Sequence, residues 1–346
     1  MNPAWQAFLR EHHAVIEHNS VVHFGNYIAE LQATPETTVM TDLSHQSLIR
    51  CSGDDAQTFL QSQLSCDVQE ITPHQAQFGG YCTPKGRILT TFLLWQQDGD
   101  LLMQLPAGLS AAIQKRLSMF VLRAKVRLTD ASENWIRIGI AGPDAIALIK
   151  DITGSLYHRD YRLQVTRTDA ASIIHFSPQR FELITSIEHA PALWRRINQQ
   201  AKPVGASCWD WLTITAGVPV ILPETQEMFL PQMLNLDAIG GVSFKKGCYP
   251  GQEIVARTQY LGKLKRRMFL AHIDTAQTVK AGDALYGNDM EDQCSGNIVN
   301  AAASPQGGVD VLAVIQQSSV ESGEIKWQSQ QGPVLRITPL PYPLPA

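Results

Sequence analysis

The chain has 346 residues, 44% of them hydrophobic and 17% charged, and a formal net charge of −4. That balance excludes a disordered chain and excludes a general electrostatic binder of nucleic acid, so any RNA contact would need a local basic patch. The length predicts two or three sub-domains.

The chain begins with Trp5, Phe8, Leu9, His12 and Ile16 at helical spacing, which predicts an amphipathic helix over 5–16 docked on the body. It has no basic stretch ahead of an apolar core, so it does not read as an export signal. No run approaches the ~20 apolar residues that a membrane helix needs. Residues 37–50 alternate. Asp54 is expected to cap a helix from Ala56 to about Leu64. Phe78 to Cys82 and Arg87 to Trp95 read as strands joined by the turn Thr83-Pro84-Lys85-Gly86, which makes a hairpin. A strand from Leu101 to Leu105, a helix from Ala107 to Phe120 and a strand from Lys125 complete this lobe.

A similar order recurs. Strands are expected at Trp135–Ala141, Ala171–His175 and Phe181–Thr185, and helices at Pro143–Ile152, Ala190–Asn198 and Cys208–Ala216. Hairpins with helices laid across them predict an α+β fold rather than a doubly wound sheet. From about Arg266, short apolar strands separated by Gly, Asn, Asp and Ser predict a small antiparallel barrel, followed by a proline-rich tail from Pro339. The expected division is 1–130, a first lobe with the N-terminal helix; 131–265, a second lobe; and 266–346, the barrel and tail.

The six cysteines, at 51, 66, 82, 208, 248 and 294, form no C-x-x-C pair and stand near no regularly spaced His pair. No metal site and no disulfide framework is expected, and reduced thiols point to the cytoplasm. Around one of them lies the most unusual segment, Lys246-Gly247-Cys248-Tyr249-Pro250-Gly251-Gln252-Glu253, with Arg257 following. Its glycines permit close backbone approach, and Lys246 with exposed amides would attract an anion. Nearby cations would favour the Cys248 thiolate. The plainer reading, a small buried hydrophobe in a tight turn, stands beside it. The basic cluster Lys263, Lys265, Arg266 and Arg267 could meet RNA, an anionic tail or a partner protein, but such runs are more often a solvated face.

Residues 246–253 resemble the signature of the YgfZ family. Phe229-Leu230-Pro231-Gln232, Gly240 to Lys245, Ala216 to Ile221, Cys82 to Arg87 and Pro339 to Tyr342 extend the likeness from about residue 37 to the C-terminus. The resemblance implies an aminomethyltransferase-like ring of two α+β lobes and a barrel, with tetrahydrofolate or a derivative at its centre. It also implies a role in the upkeep of iron–sulfur enzymes, including radical enzymes that modify tRNA. By carry-over Cys248 is the functional thiol, expected to face the central pterin cavity, and Lys246, Gly247, Tyr249, Gly251, Gln252, Glu253 and Arg257 form its motif. Trp209 would stack on the pterin, although core packing explains it equally well. Glu182 would grip the pterin's donor–donor edge, and Lys85 and Arg87 would meet a polyglutamyl tail. A further tryptophan of the family is replaced by Gln46.

The transferases carry an Asp pair where this chain has Thr90 and Thr91. A hydroxyl does not replace a carboxylate in proton transfer near neutral pH. The resemblance therefore implies an accessory factor, with a one-carbon transferase as the alternative and a direct RNA-binding module as a third reading. Any iron–sulfur cluster is expected in client proteins rather than on Cys248 alone.

Overall fold

The protein is described from a computed structural model, covering residues 1–154, 162–260, 262, 264–290 and 293–345. Three sheets organise it. The first is fully antiparallel and runs, edge to edge, through Gln77–Cys82, Ile88–Gln97, Asp100–Pro106, Gln46–Ser52 and Arg127–Asp130. Its long strand Ile88–Gln97 is buried on both faces, which explains why its sequence is apolar almost throughout rather than alternating. The helices Ala56–Gln63 and Ala107–Ser118 pack against this sheet.

The second sheet orders Val165–Arg167, Ser172–Ser177, Arg180–Thr185, Ile136–Ala141, Val39–Asp42 and Lys202–Pro203, with only the last pair parallel. Ala145–Thr153 and Ala190–Ile197 pack on it, and so does the N-terminal helix Pro3–Glu11. That helix is shorter than the expected 5–16. His13 turns to φ +68° and ends it, and Ile16 enters the strand Val15–Glu17 instead. Trp5 anchors it by donating its indole N–H to Asp42 at 2.8 Å and meeting Trp194 edge-on. Sheet membership thus crosses residue 130: the N-terminal helix and Val39–Asp42 lie with the strands of 136–185, because Trp5 and Met40 complete that core.

The third sheet contains Ile325–Trp327, Ala284–Gly287, Cys294–Ala303, Val309–Gln316, Arg266–Ile273 and Leu335–Thr338, all antiparallel. It curls as a half-barrel until its edges meet at one bridge, Lys326 with Val334. The α+β class and the C-terminal antiparallel sheet agree with the sequence reading. The hairpin Val15–Glu17/Ser20–His23 and the helix Tyr27–Ala33 were not expected.

Two local expectations differ. Asp54 does not cap the helix Ala56–Gln63; it pairs with Lys125 Nζ at 3.1 Å, and Asp55 accepts the Lys125 N–H. Arg267 is not part of a solvated basic face. It is buried and donates to Asp237 at 2.7 Å and to the Gln232 carbonyl at 3.0 Å, joining the half-barrel to the segment before it. Lys265 is exposed and Arg266 half-buried, while Lys263 lies outside the described residues. No helix among the described residues is long and apolar enough to cross a membrane.

Candidate functional site

The facing surfaces of the first two sheets enclose an inner chamber of about 60 Å³. Phe78, Thr91 and Phe92 come from the first sheet, Phe176, Arg180 and Glu182 from the second, and Trp209 and Thr213 from the helix Ala206–Thr215. An outer cleft of about 640 Å³ shares Phe78, Phe176, Arg180 and Val218 with it, and is further walled by Arg162, Trp211 and Tyr342. On another side, a space of about 160 Å³ shares Gln46, Pro106, Thr213 and Val220 and contains His45 and Asp210. Chamber and outer cleft together have the size and the largely apolar lining of a small-molecule site.

Strand alternation sets the chemistry of the wall. Arg180 and Glu182 are two residues apart on one strand and so project to the same face. Opposite Glu182 stands Gly139. Trp209 fills the space above that glycine: a Cβ at 139 would lie 2.6 Å from its indole carbons. The Arg180 guanidinium lies over the Trp209 ring at 4.3 Å and the Phe176 ring at 5.1 Å, and donates to Thr213 Oγ1 at 2.5 Å. Burial pulls Arg180 down to about 10, which leaves it charged at neutral pH.

Glu182 is buried, and its Oε2 accepts from Gln104 Nε2 at 3.1 Å while Oε1 has no hydrogen-bond partner. The Glu182 carboxyl is held above the usual carboxylate range: burial is the largest cause, and Arg137, the Gln104 hydrogen bond, Arg180 and His45 oppose it only in part. An unpartnered buried carboxylate oxygen is costly and calls for a donor. Glu182 is the one carboxylate among the described residues lining the inner chamber.

Thr91 lines the chamber, but its hydroxyl is already used: it donates to Pro219 O at 3.0 Å and accepts from Ile221 N at 3.1 Å. Thr90 is buried and donates to the Thr91 carbonyl at 3.0 Å. Gln46 also lines the chamber, its side-chain oxygen accepting from Gln104 at 2.9 Å.

The cysteine motif sits elsewhere. Cys248 is exposed and belongs to the lining of neither the chamber nor the outer cleft. Lys246 does not serve an anion site beside it. Its Nζ is buried, donating to Leu64 O at 2.7 Å and Cys66 O at 2.8 Å and lying 5.3 Å above the Tyr249 ring. Burial lowers Lys246 to about 8 and raises the Tyr249 hydroxyl. Gly251 takes φ +83°, and a Cβ there would come within 2.5 Å of Thr83 O and 2.6 Å of Gly86 Cα. The motif therefore lies directly on the hairpin turn. Gly247 does not have a positive φ, and nothing stands within 4 Å of where its Cβ would be. Gln252 and Glu253 open the helix Gln252–Tyr260, with Arg257 exposed in its last turn. Lys85 is exposed and Arg87 is drawn to the Met228 carbonyl at 2.6 Å, so neither lines the chamber or cleft. The cations that do are Arg180 and Arg162.

Sequence reasoning thus missed Arg180, Phe176, Gln104 and Arg137. The alternation Arg180-Phe181-Glu182 held one signal: two charged residues on one face of a strand otherwise buried.

The model for the GCVT N-terminal domain matches residues 6–246. The chain is 31% identical over 319 residues to the tRNA-modifying protein YgfZ of Colwellia psychrerythraea strain 34H, covering 92% of this chain and 97% of that one. It is 30% identical over 309 residues to the tRNA-modifying protein YgfZ of Klebsiella pneumoniae strain 342, covering 89% and 93%. The glycine cleavage system aminomethyltransferase T from Bartonella henselae superposes with a TM-score of 0.75 at 17% identity, over 99% of this chain and 97% of that one, which is a likeness of fold. With the signature at 246–253 and a relationship that extends over nearly the whole length, the chain belongs to the YgfZ family, on the aminomethyltransferase T fold.

Proposed function

We propose that this protein binds tetrahydrofolate or a derivative in the inner chamber and serves as an accessory factor for iron–sulfur enzymes, among them enzymes that modify tRNA. One observation carries the folate reading: the unpartnered Oε1 of Glu182 in a chamber walled by Phe176, Phe92 and Trp209. A 2-amino-4-oxo-pterin offers two adjacent N–H donors to a carboxylate and a flat ring to aromatic walls. Glu182 would hold that edge, Trp209 the ring, and the outer cleft with Arg162 and Arg180 the anionic tail. Bound there, the folate supplies a carrier for one-carbon units; the protein's residues orient it and exclude water.

The accessory role is supported by what surrounds the ring site. Thr91 offers a hydroxyl that is already committed, and the described lining has no second carboxylate to act as an acid. Cys248 stands on the surface, accessible to another macromolecule. The relatives at 30–31% identity are tRNA-modifying proteins by name, which supports the tRNA end of the reading.

Tryptophan fluorescence during titration with tetrahydrofolate tests the ligand. Saturable quenching in the wild type, weakened at least tenfold in Glu182→Ala, is expected; wild-type fluorescence that does not respond overturns the folate assignment. For the accessory role, a strain lacking the gene should show reduced thiomethylation of tRNA, restored by the wild type and not by Cys248→Ala. Turnover of aminomethyl or methyl donors with tetrahydrofolate would instead favour a transferase.

A further inference from the structure

A buried polar bridge connects the two sheets beside Glu182. Gln104 Nε2 donates to both Glu182 Oε2 and Gln46 Oε1, at 3.1 and 2.9 Å. Arg137 closes the bridge, with Nη1 3.4 Å from Gln104 Oε1 and Nη2 2.6 Å from the Gln46 carbonyl. Arg137 pairs with Ile184 and Glu182 with Gly139, so the two charged side chains are diagonal neighbours on one face of the sheet.

Arg137 is only 1% exposed, yet it takes part in none of the ion pairs found among the described residues. A buried guanidinium without a counter-charge is strongly unfavourable. Glu182, the neighbouring buried carboxylate, supplies the balance at one remove. Arg180 does not do this work as directly, because its guanidinium is committed to Thr213 and to two aromatic faces.

The geometry points to Arg137 as a positioning residue that, through Gln104 and by its own charge, keeps Glu182 ionised and its Oε1 turned to the chamber. This rests on the folate reading for its purpose, though not for its measurement. An ionised Glu182 accepts two donors and selects a ligand with an amino group beside a ring N–H; a protonated one would itself be a donor and would favour a different edge. The groups that face Glu182 are Arg137 from Ile136–Ala141, Gln104 from Asp100–Pro106, Arg180 on its own strand and His45 from the turn before Gln46–Ser52. Asp42 and Asp130 act on Arg137, and Asp210 on Arg180. Of these charges, Arg137 does most to oppose the effect of burial on Glu182.

Infrared difference spectra of the ligand-free full chain, wild type against Glu182→Gln, read the carboxyl itself. At pH 7 the wild type should show no protonated-carboxyl band from Glu182. In Arg137→Gln the band should appear at a pH about one unit or more above its wild-type midpoint, as expected for loss of a neighbouring opposite charge. Arg137→Lys should bring most of it back. Below both midpoints tetrahydrofolate affinity should be about tenfold lower in Arg137→Gln than in the wild type, one such unit being a factor of ten, and the two should converge as pH rises. Gln104→Leu breaks the bridge while keeping both charged residues; it removes the hydrogen bond to Glu182 Oε2 and should also raise the midpoint; it decides the matter if Arg137→Gln does not fold. A protonated Glu182 in the wild type at pH 7, or a band that stays put in both variants, overturns the proposal. Failure of the wild type to bind tetrahydrofolate would end the folate reading and leave the infrared result to judge Arg137 alone.

Discussion

Trp209 rests on the bare Cα of Gly139: the carbons of its six-membered ring come within 2.6 Å of where a Cβ at 139 would be. The glycine is what lets the indole come this close to the sheet beside Glu182, with Arg180 stacked on it. Gly139→Ala is therefore expected to push Trp209 out of place and to destabilise the fold by about 1–3 kcal/mol, the usual cost of overpacking. Chemical denaturation measures that loss, and Trp209 should also lose its response to tetrahydrofolate. An alanine variant of unchanged stability and unchanged quenching would show that the indole does not need the gap.

Lys246 gives a pH dependence with a definite sign. Its folded value of about 8 lies below the ordinary 10.5, so between those values the unfolded chain holds more protons than the folded one. This group's contribution to stability therefore increases as pH rises through that window. The buried thiols of Cys66 and Cys82, pushed to about 12, act in the opposite direction above 9. The clean observable is the stability of the wild type minus that of Lys246→Met, measured by denaturation at several pH values. The difference should climb from pH 8 to 10.5; a flat difference would mean that the ammonium is better solvated than its two carbonyl partners suggest.

These two residues also show what sequence carries and what it does not. Periodicity and turn residues were enough for the hairpin 77–97 and for the helix bearing Trp209, because those depend on neighbours in the chain. The resemblance brought Trp209 and Glu182 to attention, and both line the chamber. Lys85 and Arg87 were placed toward it because, in the ring fold that the resemblance implies, their turn lies toward the folate channel. Gly251 packs over that turn, and Arg87 bonds to Met228, a contact across 141 positions that no local pattern reveals. Lys246 looked like a cation for Cys248 because it is two residues away; its partners are Leu64 and Cys66, across the first lobe. Arg137 and Gln104 were invisible for the same reason, since their bridge exists only when the two sheets meet.

Thr91 stands where the family resemblance leads one to expect an aspartate, and its hydroxyl is taken up in holding the fold. Its hydroxyl ties the strand Ile88–Gln97 to residues 219–221 by two hydrogen bonds. Thr91→Val keeps the shape and strands the buried Ile221 N–H and the Pro219 carbonyl. A loss of about 1–3 kcal/mol is expected, the range for a buried polar group left unpaired. Thr91→Ser should retain most of the stability in the same denaturation experiment. Equal stability of the valine and serine variants would refute the assigned hydrogen bonds.

Cys248 and the chamber should respond separately to chemistry at the thiol. Burial raises Cys51, Cys66 and Cys82 to about 12 and Cys208 to about 11, which leaves them protonated and inert at neutral pH. Cys294 is half-buried and donates to Gly296 O at 2.9 Å, while Cys248 is exposed. Iodoacetamide at pH 7.5 should therefore label Cys248 first, as peptide mapping by mass spectrometry would show. Because the sulfur lies outside the chamber lining, the labelled protein should quench with tetrahydrofolate as the untreated protein does. Its support of tRNA thiomethylation should nevertheless be lost, since the surface thiol is the group proposed to meet the client. Loss of folate binding on labelling would place Cys248 and the pterin in one site after all, and would make the thiol a part of ligand recognition rather than of partner contact.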